Sequence, residues 1–230
     1  DGGAGGVTLR VVHEAGPWRI EMAEGTGDTL VLAFASIGHD LTRMPSPEFV
    51  GVATAGGRRA LFVMDQARSW GTGAGFAKVL RAGLTAAGPA GRIVALGSSM
   101  GAVAALRAAG VVTVDAVLGL GPQSRLDDPR WQALTAGLPA DPPALPDGWT
   151  VLCHGLTDDA AQAAGWPECG TVDHLLFPGL GHSDLALHLK ARGGLQGLVD
   201  ALCAGDRRRL LRIAAQAGAV QRRKVGMPPS

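Results

Sequence analysis

Ser99 stands at the centre of Gly97-Ser98-Ser99-Met100-Gly101, preceded by Ile93-Val94-Ala95-Leu96 and followed by Ala102-Val103-Ala104-Ala105-Leu106. An apolar strand, a turn bounded by glycines and a small-residue helix are the setting in which a serine serves as a nucleophile. In such an elbow the serine backbone is strained, and the residues two before and two after it lie too close together to carry side chains. The turn also lifts the hydroxyl to a helix N-terminus, whose free N–H groups favour negative charge, so the Met100 N–H is the expected oxyanion donor. Ser98 lies off the centre of the motif and is the poorer nucleophile.

A serine hydroxyl needs a general base within hydrogen-bond reach, itself oriented by an acid. His182, in Phe177-Pro178-Gly179-Leu180-Gly181-His182, follows the last of the core strands on a glycine-rich loop able to swing an imidazole over the elbow. The other histidines are expected to be structural: His13 and His174 fall in predicted strands, His39 precedes the elbow, His154 ends a strand and His188 sits in a helical pattern. For the acid, His154-Gly155-Leu156-Thr157-Asp158-Asp159 places two carboxylates after the penultimate core strand. Asp158 is the choice; Asp159 is adjacent and could equally cap the next helix.

These residues must be positioned by a sheet. Alternating patterns at 7–14 and 18–23, separated by Ala15-Gly16-Pro17, read as an antiparallel edge pair. Apolar runs at 29–35, 59–64, 92–96, 116–120, 150–153 and 174–177 read as strands buried on both faces. Helical patterns at 76–87, 102–109 and 185–202 lie between several of them, which predicts an α/β fold: a mostly parallel sheet of about eight strands with helices on both faces. The proline-rich segment 123–148, with a short helical pattern at 131–136, is expected to form a small cap at most. One domain over 1–204 is expected, followed at 205–230 by a basic terminal helix and tail whose charges read as a solvated face.

Composition narrows the function classes. The 230 residues carry 21 Lys and Arg against 20 Asp and Glu, a net charge of +1, so no global field draws in nucleic acid or an anionic membrane. Five Trp, five Phe and no Tyr leave little stacking surface for single strands. No apolar run approaches the roughly 20 residues of a membrane span. The three scattered cysteines, Cys153, Cys169 and Cys203, fit neither a disulfide framework nor a zinc site, which favours a reducing, cytoplasmic setting. Gly71-Thr72-Gly73-Ala74-Gly75-Phe76 lacks the third glycine of a dinucleotide loop, and no P-loop or helical histidine pair occurs, so neither cofactor nor metal is expected. The glycine run at 2–6 reads as flexible.

The elbow, the acid loop and the Gly181-His182 loop, in that order on an alternating α/β pattern, resemble the α/β-hydrolase superfamily of serine hydrolases over about residues 7–202. The resemblance implies a Ser-His-Asp mechanism, with Asp158 chosen because its spacing after Gly155 matches the usual acid loop. A second oxyanion donor normally follows the third strand, which here points by position to the Ser36 N–H. Esterases, thioesterases and acyltransferases share this scaffold, so the substrate expected is a small or medium ester, thioester or amide. Asp65 with Arg68-Ser69-Trp70, and the run 182–194 with Leu187-His188-Leu189-Lys190, are loosely similar to bacterial hydrolase-like proteins linked with surface polysaccharide or accessory secretion. That group includes members of unproven chemistry, so the alternative expectation is a non-catalytic protein that binds a partner through the basic tail or the proline-rich segment.

Overall fold

The computed structural model describes residues 6–225. Part of the amino-terminal glycine run and the last residues of the basic tail lie outside the described residues.

Nine strands form one sheet in the order β1-β2-β4-β3-β5-β6-β7-β8-β9. They are β1 Leu9–Ala15, β2 Trp18–Ala23, β3 Thr29–Phe34, β4 Arg59–Asp65, β5 Arg92–Ser98, β6 Ala116–Leu120, β7 Trp149–Gly155, β8 Val172–Phe177 and β9 Val220–Gln221. The six strands from β4 across to β8 run parallel; β1 and β2 at one edge and β9 at the other pair antiparallel. The chain has the α/β-hydrolase fold. The parallel strands are almost entirely apolar because both faces are covered.

Alternate residues of each strand feed two cores. Val31, Phe62, Leu96, Leu118, Val151 and Leu175 point to the face covered by α1 Val50–Thr54, α6 Leu185–Ala191, α7 Gly194–Ala204 and α8 Arg207–Gln216. Leu30, Leu61, Ala95, Val117 and Leu152 point to the face covered by α2 Phe76–Ala87 and α3 Met100–Ala109. A third, smaller cluster of Trp70, Met100, Val103 and Leu126 lies beneath the segment 121–148, whose helical content is the single turn α4 Gln132–Thr135. That segment is the small cap.

One feature departs from the expectations and two add detail to them. The pattern at 185–202 is two helices, because Gly193 takes φ +67° and breaks it between α6 and α7. Among the described residues the sheet has nine strands, in keeping with the expected mostly parallel sheet of about eight, with the short β9 pairing with β8 through Leu175 opposite Gln221 and Leu176 opposite Val220. Residues 205–225, set apart above as helix and tail, pack onto the same body. In α8, Leu210 and Ala214 are buried while Arg208, Arg209 and Arg212 face solvent. Arg207 grips Asp173 of β8 with two hydrogen bonds, at 2.6 and 2.9 Å. Arg222, opening the last turn α9 Arg222–Val225, is buried and donates to the carbonyls of Ala163, Ala164 and Trp166 around the end of α5 Ala160–Ala164. Among the described residues no helix is long and apolar enough to cross a membrane. Cys153, Cys169 and Cys203 are free.

Candidate active site

The site lies at the carboxyl ends of the parallel strands, where loops from β3, β5, β6, β7 and β8 converge. Ser99 sits between β5 and α3 at φ +53°, ψ −121°, in the positive-φ region that L-residues avoid. Glycines make this possible: a Cβ on Gly97 would run into the Gly101 carbonyl group, and one on Gly101 into the Phe34 carbonyl. Met100 opens the helix, so its N–H has no intrahelical acceptor.

The acid and histidine loops are stitched together by backbone. Leu156 N–H donates to Phe177 O at 3.1 Å and Thr157 N–H to Leu180 O at 3.0 Å. A side chain on Gly155 would strike the Leu180 carbonyl. The register brings His182 Nε2 to 2.9 Å from Ser99 Oγ and its Nδ1 to 2.5 Å from Asp159 Oδ2.

The carboxylate on the imidazole is therefore that of Asp159 and not that of Asp158. The two neighbours point in different directions. Asp159 holds the cap position of α5 yet makes no side-chain cap bond, and its side chain is 1% exposed against 47% for Asp158. Asp158 serves the backbone instead, accepting the His182 N–H at 2.7 Å. Burial pushes the Asp159 carboxyl up, but the hydrogen bond and charge of His182, with His154 and Arg130, outweigh it and hold the group below the ordinary carboxylate value.

Ser36, the expected second oxyanion donor, lines the same cavity, but its N–H is engaged. It donates to Glu48 Oε1 at 3.1 Å, and the Ser36 hydroxyl donates to the same oxygen at 2.5 Å. Burial raises the Glu48 carboxyl above its usual value, against the pull of those two bonds.

Four further side chains at the site carry no signal in the sequence. Gln123, in the loop after β6, donates Nε2–H to Ser99 Oγ at 2.8 Å. Trp70 donates Nε1–H to Gln123 Oε1 at 3.1 Å. Arg130 of the cap spans Asp128 and Asp159, reaching Asp159 Oδ1 at 3.0 Å. Trp131 lies against the imidazole, ring centres 5.0 Å apart. Trp70 stands in a run singled out only for its similarity to other proteins, and Trp131 opens the short helical pattern at 131–136, which marks no site; Gln123 and Arg130 sit on loops without periodicity.

Ser99, His182 and Trp131 face a cavity of about 740 Å³. Its wall mixes Ile37, Met44, Pro45 and Trp131 with His39, Asp40, Arg43 and Glu48. Among the described residues no group of three or more His, Cys, Asp or Glu side chains is arranged to hold a metal.

A hydroxyl, an imidazole and a buried carboxylate thus lie in one hydrogen-bonded line, on an elbow at the top of the sheet of an α/β-hydrolase fold. No family model matches the chain, and no curated protein matches its sequence. Among solved structures, the capsule O-acetyltransferase of Neisseria meningitidis serogroup A is similar over 83% of this chain and 93% of its own, with a TM-score of 0.59 and 13% identity. Esterase 2 of Thermogutta terrifontis, phosphonylated by sarin, is similar over 78% of this chain and 86% of its own, at TM-score 0.53 and 15% identity. A Pyrococcus furiosus esterase is similar over 78% of this chain and 85% of its own, at TM-score 0.52 and 14% identity. At these identities the likeness is one of fold.

Proposed function

We propose that this protein transfers acyl groups through Ser99, from a small ester or thioester to water or to a hydroxyl acceptor. The observation that carries the reading is the unbroken hydrogen-bond line Ser99–His182–Asp159 opening into the cavity. His182 takes the Ser99 proton at Nε2 while Asp159 holds the ring hydrogen on Nδ1 and stabilises the imidazolium. The Met100 N–H faces the developing oxyanion. The acyl-serine is then released by a second hydroxyl that His182 deprotonates in turn.

The half-polar wall, with Arg43 and Asp40 beside Ile37 and Met44, suits a short acyl chain on a polar alcohol. Two esterases and an O-acetyltransferase among the structural neighbours support that choice. A fluorophosphonate probe is expected to label the protein at Ser99 and to leave Ser99→Ala unlabelled, and p-nitrophenyl esters from acetyl to butyryl should turn over faster than longer ones. An intact fold with no labelling overturns the reading in favour of a non-catalytic binding protein.

Ser36 can act as second oxyanion donor only once the Glu48 carboxyl lets go of its N–H. Removing that competitor is worth about 1 kcal/mol, the net value of one hydrogen bond. Glu48→Ala is accordingly expected to raise kcat/KM for p-nitrophenyl acetate about fivefold. A fall in kcat/KM in a variant that melts like the wild type would mean that Ser36 takes no part.

A further inference from the structure

The Gln123 carboxamide has one orientation open to it. An indole nitrogen can only donate, so the atom facing Trp70 Nε1 at 3.1 Å is the amide oxygen. The atom 2.8 Å from Ser99 Oγ is then the amide nitrogen, and it donates. With one lone pair of Oγ receiving that hydrogen, the hydroxyl hydrogen is left for His182 Nε2 at 2.9 Å. The line is polar from end to end, running from Trp70 through Gln123, Ser99 and His182 to Asp159, each group donating to the next. Gln123 is 1% exposed and Trp70 is fully buried, so no solvent competes for these bonds.

The segment that supplies Trp70 is built at a cost. Arg68 and Trp70 both have positive φ, at +50° and +53°. Asp65 holds this strained turn, accepting from the N–H groups of Ala67 and Ser69 at 2.9 and 2.7 Å and from the Ser69 hydroxyl at 2.6 Å. Arg68 anchors it from outside, donating to the carbonyls of Ile37, Asp40 and Arg43 in the loop that walls the cavity. The run Asp65, Arg68-Ser69-Trp70 singled out in the sequence thus ends in one N–H aimed at Gln123.

We propose that Gln123 is a catalytic residue of this centre, its carboxamide donating to Ser99 Oγ through both halves of the reaction, and that Trp70 is the positioning residue that keeps it donating. The proposal rests on the reading of Ser99 as the nucleophile. As the Oγ proton passes to His182, an Oγ pair forms the bond to the acyl carbon and the carbonyl π pair moves onto its oxygen. When that pair returns, the bond to the leaving alcohol breaks and the alcohol takes the proton from His182. In the second half the acceptor hydroxyl gives its proton to His182 and adds to the acyl carbon; the carbon–Oγ bond breaks, and Oγ recovers the pair and then the proton. Gln123 gives up no proton. It donates to an oxygen that carries negative charge each time that bond forms or breaks, and a hydrogen bond to a charged acceptor is about twice as strong as a neutral one. It also limits the hydroxyl to the one rotamer that points at the base.

The test is the second-order rate constant of fluorophosphonate labelling against pH, in the full-length chain, with thermal melting of each variant recorded. Gln123→Leu is expected to lower the plateau rate by about 100-fold. The pH of half-maximal rate should stay where it is, because Gln123 does not touch His182. Trp70→Phe, which keeps an aromatic ring and loses the N–H, should lower the rate about fivefold. Should Gln123→Leu fail to fold, Gln123→Glu decides: it fits the same space and still accepts from Trp70, but turns an acceptor towards Oγ, and its labelling should fall at least as far. A folded Gln123→Leu or Gln123→Glu labelled within about threefold of the wild-type rate overturns the role of Gln123 and leaves the acyl-transfer reading standing. A folded wild type that takes no label at all overturns both.

Discussion

Asp159→Asn is expected to lower kcat/KM for a short p-nitrophenyl ester about ten-thousand-fold, whereas Asp158→Asn should cost less than about threefold. The asymmetry follows from Arg130. Its guanidinium has no acceptor, and it donates to Asp159 Oδ1 at 3.0 Å. In the Asp159→Asn variant the carboxamide oxygen is drawn to Arg130, which turns the amide NH2 towards His182 Nδ1. That nitrogen must then accept, and the ring hydrogen moves to Nε2, facing Ser99 Oγ. The base is then blocked by its own proton. Asp158→Asn, by contrast, still offers an oxygen to the His182 N–H. Removing the cation from the blocked variant, as Asp159→Asn with Arg130→Met, lets the carboxamide turn and should recover part of the loss. Equal losses in the Asp158 and Asp159 variants would sink the assignment of Asp159 to the imidazole.

Sequence spacing could not separate those two carboxylates. The pattern of Ser99 and His182 is long-range but local in its signals: each sits beside a strand, with glycines where backbones meet. Asp158 and Asp159 share one loop, and which of them faces the imidazole depends on the turn leaving β7, where Asp159 N–H closes onto Gly155 O at 3.3 Å. A cap position was a reasonable expectation for Asp159, and the backbone does place it there; the side chain turns away because the imidazole offers a stronger partner than the helix N–H groups.

The same limit explains what else was hidden. Gln123 and Arg130 reach Ser99 and Asp159 from a loop with no hydrophobic period, so nothing in the order of residues distinguishes them from solvated polar side chains. Glu48 lies 12 positions after Ser36 and meets it only because the loop after β3 folds back. The apolar strands and α2, in contrast, declare themselves, since burial on one or two faces imposes a period on their residues. β9 is two residues long and has no period to show. Its place in the sheet depends on α8 returning the chain along β8, with Arg207 holding Asp173, a contact between residues 34 apart.

Lowering the pH from 7 to 4 is expected to remove on the order of 3 kcal/mol of folding stability through the buried His154 alone. His154 of β7 faces the Pro122 carbonyl with Nε2 at 2.9 Å, and its Nδ1 meets His174 Nε2 at 2.9 Å. Arg222 Nη1 lies 3.4 Å from His174 Nδ1. A guanidinium only donates and a carbonyl only accepts, so both imidazoles are neutral, each with its hydrogen on Nε2. Burial pushes His154 down to about 4, against a smaller upward pull from the Pro122 carbonyl and Asp159, with His182 and Arg222 adding to the depression. Burial lowers His174 as well, reinforced by His154 and Arg222. A proton added to His154 Nδ1 would confront the His174 hydrogen. Between about 4 and the unfolded value of about 6.5 the unfolded chain binds more protons, so this stability is whole above 6.5 and is lost as the pH falls through 4. Glu48, raised in the folded state, works in the opposite sense, and Asp159, lowered, makes its loss below its ordinary value. Comparing urea unfolding of the wild type and His154→Gln across this range separates the histidine contribution from both, because glutamine does not titrate. The wild-type curve should fall more steeply with acid, and parallel curves would rule His154 out as a source of the pH dependence.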